Sequence, residues 1–361
     1  MKKRIRVRKN KFIKRKPRWL TKTKKQILYK ILYIFVLLLL LILFQIFYKK
    51  TKYYKNFGNN FIIKSDNDSL EEQILKEVEK VEPYYGKVTL DDVKVEFESL
   101  INKYKYLLEK ETNIADDCPI WMMWYQGIET APPIVLSCFE SIIKNREKHP
   151  VIIISKYNID KYIKLPPHIM EKLNNKTFSL THFSDIVRMT LLFKYGGYWI
   201  DATYLVTTPL SHVNTSFYTL QLDECFTDAH PFVKCIWAVN FLAVTKNSFL
   251  ATYCYHAFMQ YWKKYNSLLD YFLLDYMIHV AYYAFPEFKD IFKRIPNVHC
   301  NIFTLFRKLN NEYNPSDVCL FNKLGKDGRK RSFGDRKTNF DYIIENYQFD
   351  FNNTNNYILN I

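Results

Sequence analysis

Hydrophobic positions change spacing along this chain, and each change marks a boundary. From Ile31 to Tyr48 the run "ILYIFVLLLLLILFQIFY" is apolar and uncharged over 18 residues. As a helix rising about 1.5 Å per residue it spans about 27 Å, one membrane crossing. A cleaved signal peptide would have a shorter apolar region followed by small residues, whereas this run continues into Lys49 and Lys50. Residues 49–115 are charged and amphipathic at helical spacing, in "DSLEEQILKEVEKVE" and "DDVKVEFESLINKYKYLLEKE", with Pro83 and Gly86 between them. That pattern predicts a helical stem. From Cys118 the texture shifts to short apolar runs, "PIWMMW" and "VIIIS", separated by a helical stretch from about Pro133 to Lys148. Short apolar runs read as buried strands, and their alternation with helices predicts an α/β domain over residues 116–361, its sheet mainly parallel.

The candidate chemistry concentrates in "HFSDIVRMTLLFKYGGYWIDATYLVTTPL", residues 182–210. Ser184 suits a helix N-cap, Ile186 to Lys194 has helical apolar spacing, and Gly196 is the expected stop. Asp185 and Arg188 then share one helix face, either as a functional pair or as a plain surface ion pair. After the Gly196-Gly197 turn, "YWI" reads as a buried strand with Asp201 at its carboxyl end, where open α/β sheets bind ligands.

Charge alters the picture less than its total suggests. The formal net charge is +17, but residues 1–25 carry 14 Lys and Arg and no acid, leaving +3 for the other 336 residues. The basic signal therefore belongs to a tail, residues 1–30, and no nucleic-acid partner is expected. By the positive-inside rule the tail is cytoplasmic and everything from about residue 50 lies across the membrane. All seven cysteines (118, 138, 225, 235, 254, 300 and 319) fall on that side. An oxidising compartment permits pairs among them, and the odd number leaves at least one free. No Cys or His spacing reads as a zinc site. Acceptor sequons at Asn67, Asn175, Asn214 and Asn352 are compatible with a secretory route.

Ser-Asp-x-x-Arg, a Leu-rich helix, Tyr-Gly-Gly, an aromatic residue and a strand-end Asp, in that order, resemble the capsular polysaccharide synthesis proteins. More distantly they resemble the glycosyltransferase family of fungal mannosyltransferases and clostridial glucosylating toxins. The resemblance extends through "IWMMWYQGIETAPPIVLSCFES" and "NFLAVTKNSFLATYCYHAFMQYW", roughly residues 118–290. It implies a GT-A, Rossmann-like glycosyltransferase that moves a sugar from a nucleotide diphosphate to an acceptor hydroxyl with retention. It implies catalytic roles for Asp185, Arg188, Asp201 and Asp270. It also implies donor binding by Trp124, Asp185, Arg188, Gly196, Gly197, Asp201 and Thr203, with Asp201 and Asp275 holding a divalent cation, Mn²⁺ or Mg²⁺. Trp124 either stacks on the nucleobase or is a core aromatic beside Trp121.

The chain departs from the relatives' Asp-x-Asp signature at Thr203. Positions 201 and 203 face the same way in a strand, so the signature presents two carboxylates to one cation and this sequence presents one. A second carboxylate would come from Asp223, Asp228, Asp270 or Asp275. The last two suit best because relatives bring an acid from this region, although each also reads as a solvated helix face. "CNIFTLFRKLNNEYN" and "KLGKDGRKR" are candidates for a lid over the diphosphate. The favoured reading is a type II membrane glycosyltransferase acting on a glycan, glycolipid or glycoprotein acceptor. One alternative is an inactive relative that binds glycans or scaffolds other enzymes. Another is a tether whose tail binds lipid or nucleic acid, against which the near-neutral remainder argues. A periplasm holds no nucleotide sugars, so a Golgi or other secretory membrane with a lumenal catalytic domain is expected, the alternative being a bacterial inner membrane.

Overall fold

The computed structural model describes residues 68–211, 213–222, 236–326 and 336–351, together with Tyr29, Ile31 and Tyr33. Apart from those three positions, the expected tail (1–30), membrane helix (31–48) and first part of the stem (49–67) lie outside the described residues. So do Asp223, Asp228, Cys225 and Cys235. No helix among the described residues is long and apolar enough to cross a membrane.

Helix α1 (Asp68–Glu79) and helix α2 (Leu90–Tyr104) differ from the expected stem. A Thr89 capping box starts α2, and Val93, Phe97, Leu100, Ile101 and Tyr104 make its buried stripe. Both helices pack against the later helix Phe249–Lys264, and α2 packs also against Leu273–Ala284. The two therefore belong to the packed body of the fold. An amphipathic stripe records that a helix is covered on one side and leaves its partner unspecified.

Strands β1 (Ile120–Met123) and β2 (Val151–Ile154) form where predicted, every side chain buried. Between them runs α3 (Pro133–Lys144), with Pro133 in the first turn, where its missing N–H costs nothing. Helix α4 (Pro167–Asn174) follows, then α5 (Leu180–Tyr195). The N-cap of α5 is Ser179, whose hydroxyl accepts from the His182 N–H, so the helix begins a full turn before the expected Ser184. Ser184 instead donates to the Thr181 carbonyl from within the helix. Two serines five positions apart offer equivalent caps, and burial of Phe183 extends the apolar face past the second.

Strand β3 (Gly197–Ile200) pairs parallel with β1, which pairs parallel with β2. Strand β4 (Tyr204–Val206) leaves this sheet, and β5 (Phe217–Thr219) and β6 (Phe241–Val244) complete it in the order β2-β1-β3-β6-β5. Because β6 is antiparallel to both neighbours, the fold is mixed α/β with a parallel portion confined to β2-β1-β3. Helix α6 (Phe249–Lys264) is buried almost all round, as befits an interior helix, and α7 (Leu273–Ala284) follows it. Late in the chain β7 (Phe321–Lys323) returns to pair antiparallel with β4, Lys323 opposite Tyr204. A disulfide joins Cys300 to Cys319 just ahead of β7, while Cys118, Cys138 and Cys254 are free.

Candidate active site

The carboxyl ends of β1, β2 and β3 share one edge of the sheet, and Trp124, Ser155 and Asp201 are the first residues beyond them. Asp201 is the hub. Its Oδ1 accepts from Arg188 Nη2 at 3.0 Å and from Trp199 Nε1 at 2.9 Å. Its Oδ2 accepts from Lys323 Nζ at 2.7 Å. Trp199 and Asp201 are two apart and lie on one side of the chain, so the indole reaches the carboxylate directly. Burial pushes the Asp201 pKa up, but the Lys323 and Arg188 charges outweigh it and hold the carboxyl below its usual range.

Arg188 projects from α5 with its guanidinium carbon 5.1 Å from the centre of the Trp199 ring. Its Nη1 lies 2.8 Å from Asp185 Oδ1, off the direction of a hydrogen bond, and Nε has no aligned acceptor. At 2% exposure the guanidinium is enclosed, bridging Asp185 and Asp201 from within the body. Asp185 is pushed up to about 6, chiefly by burial, with Arg188 opposing and Asp201 adding. The pair is therefore no solvated surface bridge.

Asp275, in the first turn of α7, is 5% exposed and accepts from Trp237 Nε1 at 3.0 Å. Burial raises its pKa to about 7; the Trp237 hydrogen bond and Arg188 oppose the rise and Asp185 adds to it. It belongs to the same electrostatic neighbourhood and not to a solvated face. Asp270 sits in the turn before α7, accepting from the Phe272 N–H at 2.8 Å. Tyr271, next to it, feels the charges of Asp185 and Asp201, and its ring meets His182 of α5 edge to face at 5.4 Å. A cavity of about 690 Å³ lined by Tyr125, Phe178, Ser179, His182 and Leu268 opens beside that contact. A second, of about 730 Å³, includes Thr215 and Ser216 at the start of β5, on the opposite edge of the sheet from Asp201.

Trp124 is half-buried, with Nε1 donating to Thr130 Oγ1 at 3.0 Å, whereas Trp121 is enclosed between Tyr162 and Tyr195. Gly196 and Gly197 are not brought to Asp201. Gly197 opens β3 and Gly196 precedes it, about 13 Å and about 17 Å from Asp201 at 3.3 Å per residue. Both have positive φ, +67° and +95°, and a Cβ on Gly197 would stand 2.2 Å from the Pro119 carbonyl oxygen. Their job is the turn and the close approach of two backbones.

Lys323 is the site residue that motif reading assigned to a lid. It sits in β7, and besides Asp201 it donates to Thr203 Oγ1 at 2.8 Å, with its ammonium 5.2 Å from the Tyr204 ring centre. A three-residue strand is too short for alternation to reveal, and no local signal in "FNKLGK" ties it to Asp201.

The sequence matches no curated protein. Among solved structures, the PaToxG Glycosyltransferase is similar at 13% identity and a TM-score of 0.33, over 55% of this chain and 79% of that one. A sequence model described as "Capsular polysaccharide synthesis protein" matches residues 68–327, from the first described helix past Lys323. Since that span holds α1, α2, the whole sheet and every charged group around Asp201, the chain belongs to the capsular polysaccharide synthesis protein family.

Proposed function

We propose that this protein is a glycosyltransferase of GT-A type that moves a sugar from a nucleotide-diphosphate donor to a glycan or glycoconjugate acceptor. The observation that carries the reading is Asp201, ionised at the carboxyl end of a central strand and gripped by Arg188, Trp199 and Lys323. A carboxylate offers roughly four lone-pair positions, and three are filled here, leaving one for a ribose or sugar hydroxyl. Trp124 on the same edge supplies a face for the base. Arg188, being enclosed, acts as a positioning residue through Asp185 and Asp201.

In the retaining reaction the bond from the anomeric carbon to the diphosphate oxygen breaks, and its electron pair stays on that oxygen. The acceptor oxygen forms the new bond to the same face of the carbon, and its proton passes to the departing diphosphate. Residues 31–48 anchor the chain in a Golgi or other secretory membrane with the domain lumenal, a side that the Cys300–Cys319 disulfide supports. The test is nucleotide release by the full chain from uridine, guanosine, cytidine and adenosine diphosphate sugars. Asp201→Asn should lower release at least about a hundredfold, the loss of one preorganised charge at the reacting centre. Release unchanged in that variant would refute the assignment, and no release from any donor by the wild type would favour the glycan-binding scaffold.

A further inference from the structure

The resemblance implies a divalent cation beside Asp201, and the residues there do not fit one. A cation bridging Asp201 and the next residue on its face needs hard anionic oxygens from both. The second residue is Thr203, and the position between the two is taken by the Lys323 ammonium, at 2.7 Å from Asp201 and 2.8 Å from Thr203. Asp275 is buried and has one carboxylate oxygen committed to Trp237 Nε1 at 3.0 Å. Among the described residues no group of three or more His, Cys, Asp and Glu side chains is placed to hold a metal ion. Two fixed positive charges, Lys323 and Arg188, already face the one strongly ionised carboxylate.

We propose that the Lys323 ammonium stands in for the divalent cation: it meets the donor diphosphate itself, and binding and transfer need no metal. The proposal rests on the glycosyltransferase reading above. An ammonium has three protons, and two are committed to Asp201 and Thr203. The third meets no described acceptor, and the side chain is 17% exposed, so a phosphate oxygen can take it.

Lys323 is also held as a fixed cation should be. Its strand pairs with β4, its own N–H donates to the Ile302 carbonyl at 2.8 Å, and the Leu324 N–H donates to the Thr203 carbonyl at 2.8 Å. The Tyr204 ring beneath it is pinned through its hydroxyl to Asn240 at 2.6 Å. A charge fixed on two paired strands needs no reorganisation as the anomeric bond breaks. It receives the negative charge on the departing phosphate oxygen while the acceptor oxygen bonds to carbon and gives up its proton to that diphosphate.

Calorimetry on the full chain with uridine, guanosine, cytidine and adenosine diphosphate in turn, in EDTA and in Mn²⁺, tests this. The expected result is binding of at least one nucleotide in EDTA with an affinity that Mn²⁺ changes less than twofold. Lys323→Met should weaken that binding at least about tenfold, the loss of one charged hydrogen bond, and Lys323→Arg should restore most of it. Thr203→Asp combined with Lys323→Ala should acquire a Mn²⁺ requirement that the wild type lacks. Binding by the wild type only in Mn²⁺, or unchanged binding by a folded Lys323→Met variant, would overturn the inference and leave the glycosyltransferase reading standing. No binding of any nucleotide with or without Mn²⁺ would overturn both.

Discussion

Replacing Arg188 by Met tests whether the guanidinium is the keystone of the site. Arg188 is 2% exposed and stands 2.8 Å and 3.0 Å from the Asp185 and Asp201 carboxylates. Met refills much of the volume over Trp199 and supplies no charge. Breaking a buried pair by deleting one partner costs about 3–5 kcal/mol. Two features set the value here. Lys323 still serves Asp201, so the loss there is one charged hydrogen bond, about 1.5–3 kcal/mol. Asp185, with a pKa of about 6, can neutralise itself at pH 7 for about 1.4 kcal/mol, the cost of one pH unit. The expected destabilisation at pH 7 is therefore about 3–4 kcal/mol. At pH 5 the native Asp185 is already mostly protonated, the second contribution vanishes, and the loss should shrink to about 2 kcal/mol. Urea unfolding of the full chain, followed by tryptophan fluorescence at both pH values, reads this directly. A loss below about 1 kcal/mol and equal at the two pH values would mean that the pair behaves as a solvated surface bridge.

Asp275→Asn keeps an acceptor for Trp237 and removes a carboxyl whose pKa is raised from 3.8 to about 7 on folding. The folded chain binds that proton more tightly than the unfolded one, so the group's contribution declines as pH rises from about 4 to about 7. The variant should gain at least about 8 °C in Tm at pH 8, the shift for the about 4 kcal/mol that this rise in pKa represents, and change little at pH 4; thermal scans showing no pH dependence in the gain would contradict the burial argument. Gly197→Ala, with φ of +95° and a carbonyl oxygen 2.2 Å from the new Cβ, should cost about 3 kcal/mol or more in urea unfolding. Its folded fraction should bind nucleotide as the wild type does, and selective loss of binding would return this glycine to the donor site.

Much of the sheet was legible because β1, β2 and β3 are continuous apolar runs between turn signals, and Asp201 is the only acid that follows such a run in its segment. The end of α5 at Gly196 was legible for the same local reason. What escaped were relations between distant segments. Helices α1 and α2 read as a stem because their apolar stripe carries no address for α6 and α7. The glycines read as ligand contacts because a motif lists residues in order and omits that a strand separates them from Asp201 by its full length. Asp270 and Asp275 were equivalent on paper. Burial against Trp237 distinguishes the second, and a turn N–H accounts for the first. Lys323 was illegible because its meaning depends on a pairing with β4 that no spacing encodes.

The ribbon of β4 and β7 also sets an order of assembly. Lys323 lies 122 positions after Asp201, an interval the ribosome takes about 6–24 s to cross at 5–20 residues per second. Until β7 has been made, β4 has no strand to pair with on its ladder, and the Asp201 Oδ2 lacks the ammonium that meets it in the folded protein. Cys319 emerges four residues before Lys323, so the Cys300–Cys319 crosslink can draw the last segment in as it arrives. The chain matures from its far end: a nascent protein stalled short of β7 carries the sheet and the acidic residues, yet lacks the cation that completes them.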